Sequence, residues 1–167
     1  IARGIRDATP FRVVLVSILE AETSQLRRVT SVGISQETWN ELSARKQPVA
    51  SIQQLMRPEF KTSHSYFIPA DQTPVIPPDA HHVTLDVTQP TITSSNAWNS
   101  EDFLLVPLQN SDGQLMGLIS LDDPANGLRP DKATIEAVEV FAVQAGLLVN
   151  NTLRQTELRS RIESLSS

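Results

Sequence analysis

A chain of 167 residues is the length of one domain, enough to bury about 70% of the surface that its unfolded form exposes. With 40% hydrophobic residues, 20% charged residues and a net charge of −5 it has an ordinary globular composition, and no apolar run approaches the ~20 residues that span a bilayer. The absence of cysteine excludes disulfides, thiolate metal sites and cysteine nucleophiles, and the absence of Lys and Arg between Lys61 and Arg129 argues against nucleic-acid binding there.

Ile1 to Asp7 reads as the tail of a helix closed off before Pro10. Phe11 to Leu19 (FRVVLVSIL) has the Val and Ile content of a buried strand. The polar break Glu20 to Ser24 turns the chain into a second strand, Gln25 to Ile34. Ser35 then caps a helix, because its hydroxyl can accept from the free N–H groups of the first turn, and Glu37 suits the positive end. Trp39, Leu42 and Lys46 follow at helical spacing, and the helix must end before Pro48. Ser51 to Met56 is a short helical turn stopped by Pro58, and His64 to Ile68 (HSYFI) is a strand by its aromatic and β-branched content.

From Ala70 to Ser100 prolines are scattered and apolar periodicity is weak, apart from a strand fragment at Val83 to Val87. Loops of this length in a compact domain are uncommon and often cover binding sites. Phe103 to Leu108 and Leu115 to Leu121 are apolar at nearly every residue, so both faces of these strands are expected to be covered, and Asp112–Gly113 between them signals a tight hairpin. Asp122–Asp123–Pro124 ends the second strand. The last helix begins near Pro130, with Asp131 complementing its dipole. Ile135, Val138, Ala142, Ala145 and Val149, widened by Phe141 and Leu148, make a stripe that belongs against a sheet. Beyond Asn151, Leu158, Ile162 and Leu165 restart a four-then-three spacing.

The order of these elements, with LLVPL (Leu104 to Leu108), GLISLDDP (Gly117 to Pro124), FAVQAG (Phe141 to Gly146) and MRPEFKTSHSYFIP (Met56 to Pro69), resembles a GAF domain of a bacterial multidomain signalling protein such as a sensor histidine kinase. The resemblance covers Phe11 to Leu153. It implies an α+β, profilin-like fold: a central antiparallel sheet of five to six strands, helices on one face, loops and short helices on the other. It also divides the chain into a sensor domain, 1–153, and an exit helix, 154–167, leading toward a downstream domain. Ile1 in place of an initiator Met fits a piece of a longer, cytoplasmic protein.

Known GAF subclasses narrow what is bound. Bilin attachment and methionine sulfoxide reduction both use cysteines, which this chain lacks. The Asn-Lys-Phe-Asp-Glu constellation of the cyclic-nucleotide binders is missing, since Ala145–Gly146 stands where Phe141 would be followed by Asp-Glu. Haem binding would fall to His64, His81 or His82, and adjacent histidines in a strand point to opposite faces, so no cofactor is expected. Asp122–Asp123 lacks the ligand count of a calcium cage and reads as a turn or cap. The six glycines form neither a dinucleotide fingerprint nor a P-loop, and no nucleophile elbow occurs, so no enzyme is expected.

Two readings remain. One is a sensor whose ligand lies beneath the Ala70–Ser100 cover against Tyr66 and Trp98, each of which joins apolar surface to one hydrogen-bonding group. The charge map makes that ligand neutral or cationic. The other is a dimerisation or spacer module without a ligand. The proline-bearing cover favours the sensor. Either way Leu158, Ile162 and Leu165 are expected to form the seam of a parallel homodimer and the signalling route, with no membrane contact.

Overall fold

The computed structural model describes residues 1–72 and 96–165. The strand expected at Val83 to Val87 and the pair His81–His82 lie outside the described residues. Helix α1, Ala2–Ala8, stops where Thr9 turns extended ahead of Pro10. Strands β1 (Phe11–Glu20) and β2 (Gln25–Val32) form the first hairpin. Helix α2 (Gln36–Ser43) is capped as expected: the Ser35 hydroxyl accepts from the Thr38 N–H. After it come β3 (Lys46–Pro48), α3 (Val49–Gln53), β4 (Lys61–Thr62), β5 (Ser65–Ile68), β6 (Phe103–Gln109), β7 (Leu115–Pro124) and α4 (Lys132–Leu165).

The strands make one antiparallel sheet in the order β3-β2-β1-β7-β6-β5-β4. Seven strands exceed the expected five to six, because β3 and β4 are edge strands of three and two residues. So short a piece carries backbone pairing without an alternating side-chain pattern. For the same reason Lys46 belongs to β3 and not to the preceding helix, which ends at Ser43.

The β6–β7 turn follows its sequence: the Asn110 side chain accepts from the Asp112 and Gln114 N–H groups, and Gly113 takes φ +78°. Strand β7 continues through Pro124, which pairs with Phe11 at the last register position. The chain leaves the sheet there. Helix α4 starts at Lys132, and Asp131 is its cap, accepting from the Thr134 N–H at 2.8 Å. Pro130 therefore lies outside the helix.

Two apolar layers sandwich the sheet. On one face, Ile5 of α1 and Ile135, Val138, Ala142 and Ala145 of α4 pack on Val14, Val16, Val106 and Ile119. On the other, Ile52, Leu55 and Phe60 cover Leu26, Ile68, Leu105 and Leu118. The expected core stripe of α4 is narrower than its sequence suggests, since Leu148 is 58% exposed. By length and hydropathy α4 could cross a bilayer, contrary to the expectation from apolar runs alone; 28% of its most apolar window is buried, on the face that packs against the sheet.

Candidate functional site

On the face opposite α1 and α4, the sheet and the α2–α3 segment line a partly open cavity of about 60 Å³. Alternation along the strands determines its walls. Val13 and Leu15 of β1, Leu105 of β6 and Ser120 of β7 face it, whereas Val14, Val16, Val106 and Ile119 point to the α4 side. Ile52 and Leu55 close the apolar part.

The polar part is Arg28, Gln47, Asp102 and Asp122. Arg28 is only 8% exposed. Its Nη1 donates to the carbonyls of Leu42 at 3.1 Å and Arg45 at 3.3 Å, so it binds the C-terminal end of α2. Burial, with the nearby Arg45 charge, holds its guanidinium below the ordinary pKa. Asp102 has a side chain with no exposed surface and is fully engaged: Oδ1 accepts from the Ala70 N–H and Oδ2 from the Asn99 N–H, both at 2.8 Å, and Arg129 pairs with it at 3.2 Å. Asp122 Oδ1 accepts from the Trp98 indole N–H at 3.0 Å and from the Asp123 N–H.

Larger hollows exist, including a groove of about 540 Å³ beside α1 and α4 lined by Val16, Ala145 and Leu148. Among the described residues, no charged side chain lining that groove is buried. The smaller cavity stands out for its buried charge and not for its size.

A family model for the GAF domain matches residues 1–149. This chain is a GAF domain. Solved structures of low identity share the fold. The GAF domain/HD domain protein from Geobacter sulfurreducens matches with a TM-score of 0.64 at 12% identity, over 90% of this chain and 87% of that one. Residues 122 to 287 of a methyl-accepting chemotaxis protein match with a TM-score of 0.59 at 16% identity, over 91% and 87%. A domain of a Sinorhizobium meliloti 1021 protein named as a two-component sensor histidine kinase matches with a TM-score of 0.57 at 13% identity, over 95% and 91%. A comparison with curated proteins gives no match.

Within this GAF domain, neither Tyr66 nor Trp98 is among the residues lining the cavity. Tyr66 packs at the margin of the cluster that contains Ile52 and Leu55. Trp98 is buried on the α4 side, edge-on to Phe11 with ring centres 5.8 Å apart, and reaches the cavity only through its bond to Asp122. Asp123 pairs with Arg12 at 2.8 Å, so Asp122–Asp123 is a pair of strand residues with separate partners, not a turn. The His64 ring is on an exposed turn, where its backbone N–H donates to Glu139. Among the described residues no cluster of His, Asp and Glu could hold a metal ion.

Arg28 was the residue that sequence reasoning missed. Arg28 enters the lining from β2, outside the stretch between Lys61 and Arg129 that lacks Lys and Arg, so the expectation of a neutral or cationic ligand does not extend to this cavity. A signal for it exists: Leu26 and Arg28 are two apart in a strand and therefore share a face, and Leu26 is fully buried.

Proposed function

We propose that this GAF domain is a regulatory, non-catalytic sensor module of a cytoplasmic bacterial signalling protein. A small molecule held in the cavity biases α4, and residues 154–167 carry that bias to an output domain as the exit helix. The observation that supports this reading is the shared strand set: β1, β6 and β7 line the cavity with one face and seat α4 with the other. A change in volume on one side therefore meets the α4 interface after one layer of backbone. Arg28, Gln47 and Asp122 are polar residues of the wall that a ligand would meet, and Trp98 acts behind Asp122 by donating to its carboxylate. The occurrence of similar folds in a chemotaxis protein and in a protein named as a sensor kinase agrees with such a role.

The coupling is testable before any ligand is known. Ser120→Met fills part of the cavity from β7 without touching α4. Hydrogen exchange is expected to change in α4 over residues 135–149 as well as in α2 and α3. Change confined to α2 and α3 would count against the sensor reading.

A second reading, a dimerisation or spacer module without a ligand, is supported by the exposed apolar side chains of α4. Leu148, Leu158, Ile162 and Leu165 are 58%, 57%, 66% and 86% exposed. With Asn151 and Gln155 they follow one seam at alternating three- and four-residue steps, suited to a parallel homodimer. The two readings are compatible, because a sensor can signal through the same seam.

A further inference from the structure

We propose that Arg28 is the carboxylate-binding residue of the cavity and that the ligand is a small aliphatic monocarboxylate, an inference that rests on the cavity being the ligand site. Three observations lead there. First, Arg28 is buried, and no carboxylate pairs with it among the described residues. A buried cation without a counter-charge is costly, and carbonyl dipoles offset only part of that cost. Its two carbonyl bonds both use Nη1, whereas a guanidinium has five N–H donors arranged as a fork that matches a carboxylate.

Second, the rest of the wall selects the remainder of the molecule. Val13, Leu15, Ile52, Leu55 and Leu105 offer aliphatic contact. Asp122 stands in the same wall as Arg28, and a fixed negative charge there opposes a phosphate dianion more than a singly charged carboxylate. Asp102 and Arg129 already neutralise each other, so neither enters that balance.

Third, the volume of the recess suits a small molecule. The space for water centres is about 60 Å³. One water needs about 10–15 Å³ on that measure, so the cavity suits roughly four to six non-hydrogen atoms.

The test uses the full 167-residue chain, with isotope labels read by NMR at the Arg28 Nε–Hε group and at the methyls of Ile52, Leu55 and Leu105. The probes are isobutyrate, its isosteric amide isobutyramide, and inorganic phosphate. Isobutyrate is expected to shift both sets of signals saturably and to bind roughly tenfold to a hundredfold more tightly than the amide, the range for a charge-assisted pair. Arg28→Gln should erase that preference, and Arg28→Lys should restore part of it. Equal binding of acid and amide to the unaltered chain overturns the role of Arg28 but leaves the cavity as a ligand site. Methyl shifts with neither probe overturn both. Phosphate displacing isobutyrate from Arg28 overturns the ligand class. The acid–amide comparison needs no variant, so it decides even if Arg28→Gln does not fold.

Discussion

Replacing Gly146 by alanine sets two effects of known size against each other. In a helix interior alanine is favoured over glycine by about 0.8–1 kcal/mol. Gly146, however, lies where α4 crosses β6, and a Cβ there would stand 2.5 Å from the Gln109 carbonyl oxygen and 3.4 Å from two further Gln109 backbone atoms. Backbone in a paired strand cannot rotate aside as a side-chain tip can, so helix and sheet must separate locally. Overpacking of this kind costs typically about 1–3 kcal/mol, and a backbone neighbour puts the cost toward the upper end. The net expectation is a destabilisation of about 1–2 kcal/mol. For a domain of this size that lowers Tm by roughly 2–8 °C. Thermal unfolding followed by circular dichroism reads it, with Gln144→Ala on the exposed side of the same helix as a control near zero. A Gly146→Ala chain melting at or above the parent temperature would mean that propensity wins and that the α4–β6 approach is not tight.

Two further outcomes are expected. The Asp131 carboxylate is held below its ordinary pKa by its side-chain and backbone hydrogen bonds to Thr134. A depressed folded pKa gives stability that is fully present above the unfolded value and is lost as pH falls through the folded one. Asp131→Asn keeps a capping oxygen and removes the charge, so urea unfolding should place the parent above the variant at neutral pH and bring the two together as pH falls below the aspartate range; a constant difference would refute the electrostatic part. Truncation after Leu153 removes Leu158, Ile162 and Leu165, each worth about 1.5–3 kcal/mol when fully buried, so light scattering should show the full chain dimeric and the shortened one monomeric, whereas equal masses would refute the seam.

The core elements were legible in sequence where side-chain patterning alone defines them. β1, β6 and β7 declared themselves through near-continuous apolar runs, and α2 and the β6–β7 turn through Ser35 and Asn110 to Gly113. β3 was hidden because a three-residue edge strand ending in Pro48 offers no periodicity. The site was harder to read. Tyr66 and Trp98 were singled out for residue type, and type does not say which face of a sheet a loop residue joins; Trp98 joined the α4 side through Phe11. Arg28 looks like one more solvated strand residue until the C-terminal end of α2 folds over it, and that is a tertiary event.

Glu139 gives α4 a property that its apolar stripe cannot. Its carboxylate accepts from the Ser63 hydroxyl at 2.7 Å, the His64 N–H at 2.7 Å and the Ser65 hydroxyl at 2.8 Å, gripping the turn between β4 and β5. Apolar contacts are non-directional, so Ile135, Val138 and Ala142 alone would tolerate small slips of the helix over the sheet. Three directional bonds to one carboxylate do not. Advancing α4 by a single residue turns it by about 100° and moves it about 1.5 Å, which carries Glu139 away from all three donors. Glu139 therefore acts as an index pin: it sets the angular phase in which the seam beyond Leu148 faces outward, and any rotation of the helix must first withdraw it.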